Sequence, residues 1–215
     1  MNKQLGRIVE AGVAAATLIA LSPALAAVAA LIRALTGPPV LFRQRRAGLH
    51  GRAFTLYKFR TMSGELDSDG NLLPDAERLT RLGRCLRATS LDELPQLWNV
   101  LIGKMRLVGP RPLFADYLPL YTPFQRRRLE VKPGLTGWAQ IRGRNALSWE
   151  EKFSLDVWYV DHASFWLDCR ILAETVWQVL ARRGTSHPGQ ATMPRFMGSA
   201  APGPVSEWEP GCERS

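Results

Sequence analysis

The stretch AGVAAATLIALSPALAAVAALI, Ala11–Ile32, carries no charged residue. Its reading decides the fold, because a run of about 20 apolar residues matches one bilayer crossing. Three readings compete. Lys3 and Arg7 precede the run, and Ala24–Ala26 spells a small-residue ALA, the marks of a secretory signal peptide. Against that, the apolar run continues past the ALA and a basic, cytosolic-looking body follows. A straight transmembrane helix is the second reading. The third is a segment that enters the membrane and returns. Ser22-Pro23 at the centre favours it: Pro removes a helix hydrogen bond and forces a bend, while Ser can satisfy a freed carbonyl. The cations favour it too. Lys3 and Arg7 lie before the run, and Arg33, Arg43, Arg45 and Arg46 lie after it. Basic flanks belong on the cytoplasmic side, and a straight crossing cannot place both there. The expectation is a helix–break–helix hairpin over residues 1–36, turning at Ser22 and Pro23.

The whole chain sets wider bounds. Its 215 residues suffice for one domain with a modest core. A net charge of +9 predicts attraction to an anion, whether nucleic acid, anionic lipid or a phosphorylated substrate. Cys85, Cys169 and Cys212 are odd in number and far apart, so neither a disulfide framework nor a metal spacing follows, and a reducing compartment fits. With His50, His162 and His187 as the full histidine complement, a His-rich zinc site is not expected.

After Thr36-Gly37-Pro38-Pro39 the pattern changes. VLFRQRRAG (Val40–Gly48) and AFTLYKFRTM (Ala53–Met62) read as two short strands around a glycine-containing loop at 47–52. GELDSDGNLLPD (Gly64–Asp75) is a turn-rich loop. DAERLTRLGRCLRATS (Asp75–Ser90) has helical spacing, with Leu79, Leu82 and Leu86 on one face. Arg78, Arg81 and Arg84 read as a solvated basic face, but Arg87 lies just before a pair of acids. LVGPRPL (Leu107–Leu113) is a bracket in which two prolines hold Arg111, a fixed guanidinium suited to bidentate phosphate recognition. Arg126–Arg128 read as a membrane-surface patch. Gly134, Gly137 and Gly143 suit tight turns near a ligand, and Arg142 and Arg144 flank the last. From Ser148 to Arg183 the chain reads as helical and rich in aromatics. Some of these rings suit a packed core and others a membrane–water interface. Asp156 and Asp161 interrupt this stretch, and one is expected to pair with a nearby arginine. Residues 37–183 form the body, and 184–215 a loose tail.

SLDELPQLWNVL (Ser90–Leu101) holds the acid pair, Asp92 and Glu93. Ser90 with Glu93 three residues on spells a capping box. Pro95 conflicts with that, because a helix capped at Ser90 puts it at the fifth helical position, where its missing N–H removes a bond. A start nearer Asp92 places Pro95 in the tolerated first turn and Asp92 at the helix mouth, a position suited to an anionic ligand as well as to a cap.

Taken together, the Ser22-Pro23 break, YKFRTM (Tyr57–Met62), SLDELPQLWNVL, LVGPRPL, KPGLTGWAQIRGRN (Lys132–Asn145) and LDVWYV (Leu155–Val160) resemble the bacterial sugar transferases. These are small monotopic polyprenyl-phosphate phosphoglycosyl transferases. The resemblance covers about residues 5 to 183. It implies an α+β, mainly helical protein: a re-entrant membrane helix–break–helix, then a compact cytoplasmic catalytic domain with a small β-hairpin and interfacial amphipathic helices. The place implied is the cytoplasmic face of the bacterial inner membrane. The reaction implied is transfer of a phosphosugar from a UDP-sugar to a polyprenyl phosphate, undecaprenyl phosphate being the expected carrier, with Mg2+ as cofactor and UMP released. Asp92 carries over as the nucleophile and Glu93 as its partner, either as metal ligand beside Asp92 or as proton acceptor. Lys58, Arg60, Arg87, Arg111 and Arg144 become candidates for phosphate or nucleotide contacts, with Asp156 orienting one of them. GRNALSW (Gly143–Trp149) points to an N-acetylated amino-deoxy sugar. The chain departs from the family's usual pattern at Lys104 and Arg106, where an acidic and a small polar residue are expected, so this turn is more positive. Membrane lipids and downstream glycosyltransferases are the partners implied, and nucleic acid is not. The rivals are a nucleic-acid-binding protein and a non-catalytic membrane scaffold.

Overall fold

The chain opens as two helices. α1 (Lys3–Ala20) and α2 (Ser22–Thr36) meet at a bend of 62°. This is a computed structural model, and it describes residues 3–143, 146–181 and 195–198. Pro23 has no N–H to give, and Ser22 Oγ donates to the Ile19 carbonyl at 2.8 Å, so the side chain satisfies an oxygen at the break. Among the described residues no single helix is long and apolar enough to cross a membrane; the bent pair is, by length and composition. One side of the pair packs inward. Ala14 joins Leu56, Leu97, Val100 and Met105 in one cluster, and Ile32 joins Phe59 and Leu86 in another. Ile8, Val9, Ile19 and Leu35 face out, all more than half exposed. The pair thus shares its core with the body.

The strand expectation holds. β1 (Leu41–Ala47) pairs antiparallel with β2 (Ala53–Phe59), Leu41 opposite Phe59 and Ala47 opposite Ala53. The helix expected over 75–90 is split into α3 (Asp75–Arg78) and α4 (Arg81–Ala88). Leu79 is extended and bridges to Met62, and Thr80 then caps α4 by accepting from Gly83 N–H at 2.8 Å. Gly83 lies against the β2 exit, where a Cβ would come within 1.9 Å of the Thr61 carbonyl oxygen.

After α5 (Gln96–Leu101), β3 (Arg106–Val108) pairs in parallel with β4 (Gly134–Thr136), a second sheet that the sequence pattern did not announce. Between them lies α6 (Pro123–Arg126), with Thr122 and Gln125 in a reciprocal capping box. The rest is α7 (Trp138–Arg142), α8 (Trp149–His162) and α9 (Phe165–Leu180), the last two matching the helical reading of 148–183. Val108, Trp138, Leu155, Tyr159 and Ile171 form their shared core. On α9, Phe165, Trp166, Trp177 and Leu180 remain exposed. Within the stretch expected as a tail, Arg195–Gly198 is described, and Phe196 is buried among Tyr117, Tyr121 and Phe153.

The three arginines read as a surface patch are not one. Arg126 donates to the Leu118 carbonyl, Arg127 pairs with Asp161, and Arg128 is 3% exposed. Both interrupting aspartates therefore have arginine partners, since Asp156 holds Arg128. Arg106, one of the two departures, also finds acids: Glu10 of α1 at 2.8 Å and Asp168 of α9 at 3.0 Å.

Candidate active site

Local backbone turns the acid pair inward. Ser90 adopts φ 56°, a left-handed conformation that side chains with a Cβ rarely take, and its side chain caps nothing. The chain then makes one short 3-10 turn over Leu91–Glu93, and α5 begins after Pro95, where a missing N–H costs little. The capping-box reading of Ser90 is thereby replaced. Asp92 stands one turn ahead of α5, at 7% exposure.

The two carboxylates differ in every respect but sequence position. Glu93 accepts from Lys58 Nζ at 2.6 Å and from Arg111 through both terminal nitrogens, at 2.5 and 3.4 Å. Burial pushes the Glu93 carboxyl up, but Arg111 and Lys58 together outweigh it and hold Glu93 well below the usual carboxylate range. Among the described residues no group donates a hydrogen bond to Asp92. Burial, reinforced by the Glu93 charge, lifts its pKa to about 6 against the pull of Lys58, Arg111 and Arg87. One acid is locked by cations; the other stands free beside them.

The cations are held by different elements. Lys58 comes from β2, where burial lowers its pKa and Glu93 opposes that. Arg87 ends α4 and bonds Thr61 Oγ1 at 3.1 Å. Arg111 stands in the bracket after β3. Asp156 does not touch the acids. It takes Arg128 Nε and Nη2 on one oxygen at 3.0 and 2.6 Å, and Arg128 Nη2 also donates to the Arg111 carbonyl at 2.7 Å. Asp156 is thus linked to the Arg111 backbone through a buried intermediary. Arg60 borders the same cavity, but its guanidinium is spent on the carbonyls of Thr36, Gly37 and Pro38 at the end of α2. Arg144 lies outside the described residues.

Three residues escaped the sequence reading. Arg128 was hidden in an RRR run. Arg46 approaches the bracket, over the Phe114 ring. Lys152, with its pKa lowered to about 8 by burial and by Arg111, stands near Trp149. A signal existed for the last: Lys152 is four residues before Asp156, hence on the same face of α8.

These groups line an open cavity of about 1700 Å³, one wall of which is apolar, from Leu172, Val176 and Val179 of α9. Lys58, Arg87, Arg111 and Arg46 line it beside Asp92 and Glu93. Among the described residues no three His, Cys, Asp or Glu side chains gather as a metal cage. Of the acid pair, Asp92 offers carboxylate oxygens that no described residue engages, whereas those of Glu93 are taken by Lys58 and Arg111. Magnesium commonly uses one or two carboxylates and completes its shell with water and substrate phosphate. The residues therefore fit an ion shared with a phosphorylated ligand.

Comparison with known proteins places this arrangement. The family profile described as bacterial sugar transferase matches residues 1–182. The uncharacterized sugar transferase EpsL of Bacillus subtilis (strain 168) is 63% identical over 170 residues, which span 79% of this chain and 84% of EpsL. A UDP-glucose:undecaprenyl-phosphate glucose-1-phosphate transferase of Caulobacter vibrioides is 44% identical over 177 residues, 76% of this chain and 66% of that protein. An undecaprenyl-phosphate galactose phosphotransferase of Salmonella typhimurium is 40% identical over 166 residues, 69% of this chain but 35% of that protein. The chain thus spans less than two thirds of the latter two.

Proposed function

The chain belongs to the bacterial sugar transferase family, and on that premise we propose that it moves a phosphosugar from a UDP-sugar to a polyprenyl phosphate, releasing UMP. Undecaprenyl phosphate, which the names of two relatives carry, is the acceptor proposed. The observation that carries the reading is the contrast within the acid pair: Glu93 is immobilised by Lys58 and Arg111, and Asp92 is buried, unbonded and next to the same cations.

The chemistry follows from that contrast. With a pKa of about 6, Asp92 is ionised at neutral pH, and no hydrogen bond from a described residue dulls its oxygens. An Asp92 oxygen attacks the β-phosphorus of the donor. The bond from that phosphorus to the bridging oxygen breaks, and UMP leaves with the electron pair. The aspartyl-phosphosugar that remains splits one difficult displacement into two easier ones. A phosphate oxygen of the polyprenyl phosphate then attacks the same phosphorus and expels the Asp92 carboxylate. Arg111, Lys58 and Arg87 stabilise the charge that gathers on the phosphoryl oxygens. Glu93 is a poor proton acceptor, because its neighbours keep it ionised. Its role is to fix Lys58 and Arg111 in place. Asp92, together with the substrate phosphate, would hold a magnesium ion, which would supply further neutralisation of the diphosphate.

The setting is the cytoplasmic face of the bacterial inner membrane, with the bent helix pair seated in one leaflet as a monotopic, re-entrant anchor. The exposed apolar faces of α1, α2 and α9 support this. The lipid acceptor enters along the apolar wall of α9. The product, a polyprenyl-diphosphate sugar, is a substrate for glycosyltransferases that extend it. The donor proposed is an N-acetylated amino-deoxy sugar.

The test is a UMP-release assay over a panel of UDP-sugars with polyprenyl phosphate and Mg2+. Asp92→Asn should lose at least about a thousandfold in rate, as expected when a nucleophile is removed. Without acceptor, the wild-type peptide containing Asp92 should gain the mass of a phosphosugar. UMP release by Asp92→Asn at the wild-type rate would falsify the covalent scheme.

A further inference from the structure

Arg46 has no part in the scheme above, yet its surroundings are built. Its backbone bridges to Phe114, and Ala47 N–H donates to the Leu113 carbonyl at 2.9 Å, so the end of β1 is stitched to the bracket that carries Arg111. The guanidinium lies 3.9 Å from the centre of the Phe114 ring and donates to the Pro112 carbonyl at 3.3 Å and to Gln44 Oε1. These contacts set the plane of the fork without neutralising it. Among the described residues no carboxylate forms an ion pair with Arg46, and its Nε is buried without a hydrogen-bond partner. Burial and the nearby Arg111 lower its pKa to about 10. Two guanidiniums crowded beside an acid that already serves one of them and a lysine call for a further anion.

We infer that Arg46 is a phosphate-binding residue for the nucleotide donor, holding the phosphate that departs with UMP. The inference rests on the transferase reading above and deepens it. Cavity charge agrees: among the lining residues lysines and arginines outnumber carboxylates, an excess that suits an anionic diphosphate. The walls decide between donor and lipid acceptor. Beside Arg46 the cavity continues along Phe114, Tyr117, Trp149 and Lys152, which suit a soluble nucleotide. The apolar wall of α9 is made of other residues.

The experiment compares binding of UMP and of uridine to the full chain in detergent, for wild type, Arg46→Gln and Arg46→Lys. UMP affinity should fall about tenfold or more in Arg46→Gln, the loss of one charge-assisted contact. Uridine affinity should stay at the wild-type value, which also reports that the variant is folded. Arg46→Lys should recover part of the loss. In turnover, the KM for UDP-sugar should rise and that for polyprenyl phosphate should not. Unchanged UMP binding overturns the assignment. So does an equal loss of UMP and uridine binding, which makes Arg46 a support of the bracket, and so does a rise confined to the acceptor KM. Failure of the wild type to release UMP from any UDP-sugar defeats the transferase reading instead, so the two failures are distinct.

Discussion

Asp92 lies at 7% exposure with no donor to its carboxylate among the described residues, while the adjoining Glu93 is gripped by Lys58 and Arg111. Two outcomes follow from the opposite shifts. In the proposed scheme ionised Asp92 attacks phosphorus, so the rate of UMP release should fall as pH drops through about 6, with Glu93 still charged; a pH–rate profile of the wild type reads this. A second concerns stability. A carboxyl raised in the folded state contributes stability below its ordinary 3.8 and loses it as pH rises through about 6. At pH 8 the full cost is present, so Asp92→Asn, inactive, should melt higher than the wild type. The shift corresponds to at most about 3 kcal/mol. A melt at pH 8 showing Asp92→Asn no more stable than wild type would contradict the buried, unpaired placement. At this scale the acid pair and Arg111 were legible, because a dyad and a Pro-Arg-Pro bracket are local patterns. Arg128 was not. Arg126, Arg127 and Arg128 are identical letters in a row, and what separates a surface contact from a buried ion pair is Asp156, 28 residues away.

Among the elements, α4 depends on one missing methyl group. Gly83 abuts the Thr61 carbonyl, and a Cβ at 1.9 Å forces α4 away from the end of β2. Gly83→Ala should therefore destabilise the protein by about 1–3 kcal/mol, the range for overpacking, despite the better helix propensity of alanine. It should also slow transfer, because Arg87 reaches Thr61 Oγ1 from the same helix. Denaturant melts and the UMP assay measure the two effects. The hairpin β1–β2 and the helices α8 and α9 could be read from alternation and periodicity, which are properties of adjacent residues. The split at Leu79 could not, because helical spacing runs straight through it; the pairing of Leu79 with Met62 is tertiary. Nor could β3–β4, two three-residue strands joined in parallel across a long connection. The left-handed Ser90 is another such case, since serine carries no preference for that conformation.

For the molecule as a whole, the helix pair and the body are one packed unit. Ala14 and Ile32 are buried against body residues, and Arg106 ties Glu10 of α1 to Asp168 of α9, with Tyr159 OH on the same aspartate at 2.6 Å. In the proposed membrane seat, a helix pair joined to the body in this way keeps its first end on the body's side of the bilayer. Cysteines introduced by Lys3→Cys and Arg45→Cys, in a chain otherwise free of reactive thiols, should therefore be labelled from the same side of the membrane. Labelling from opposite sides would defeat the re-entrant seat. The break at Ser22-Pro23 was visible in the sequence because proline acts locally. The inward face was not, since Ala14 looks like every other alanine in the run. The charge network was hidden too, because Arg106 reads as a surplus cation until Glu10 and Asp168 are brought beside it.

Phe196 lies fourteen residues beyond the last position matched by the family profile, yet it fills the aromatic cluster of Tyr117, Tyr121 and Phe153 and lies tilted against Trp149, ring centres 5.3 Å apart. A recombinant fragment cut at the edge of the family match would delete a ring packed against Tyr117 and Trp149, which line the cavity. Domain limits drawn by homology would then remove the backing of the pocket they were meant to isolate.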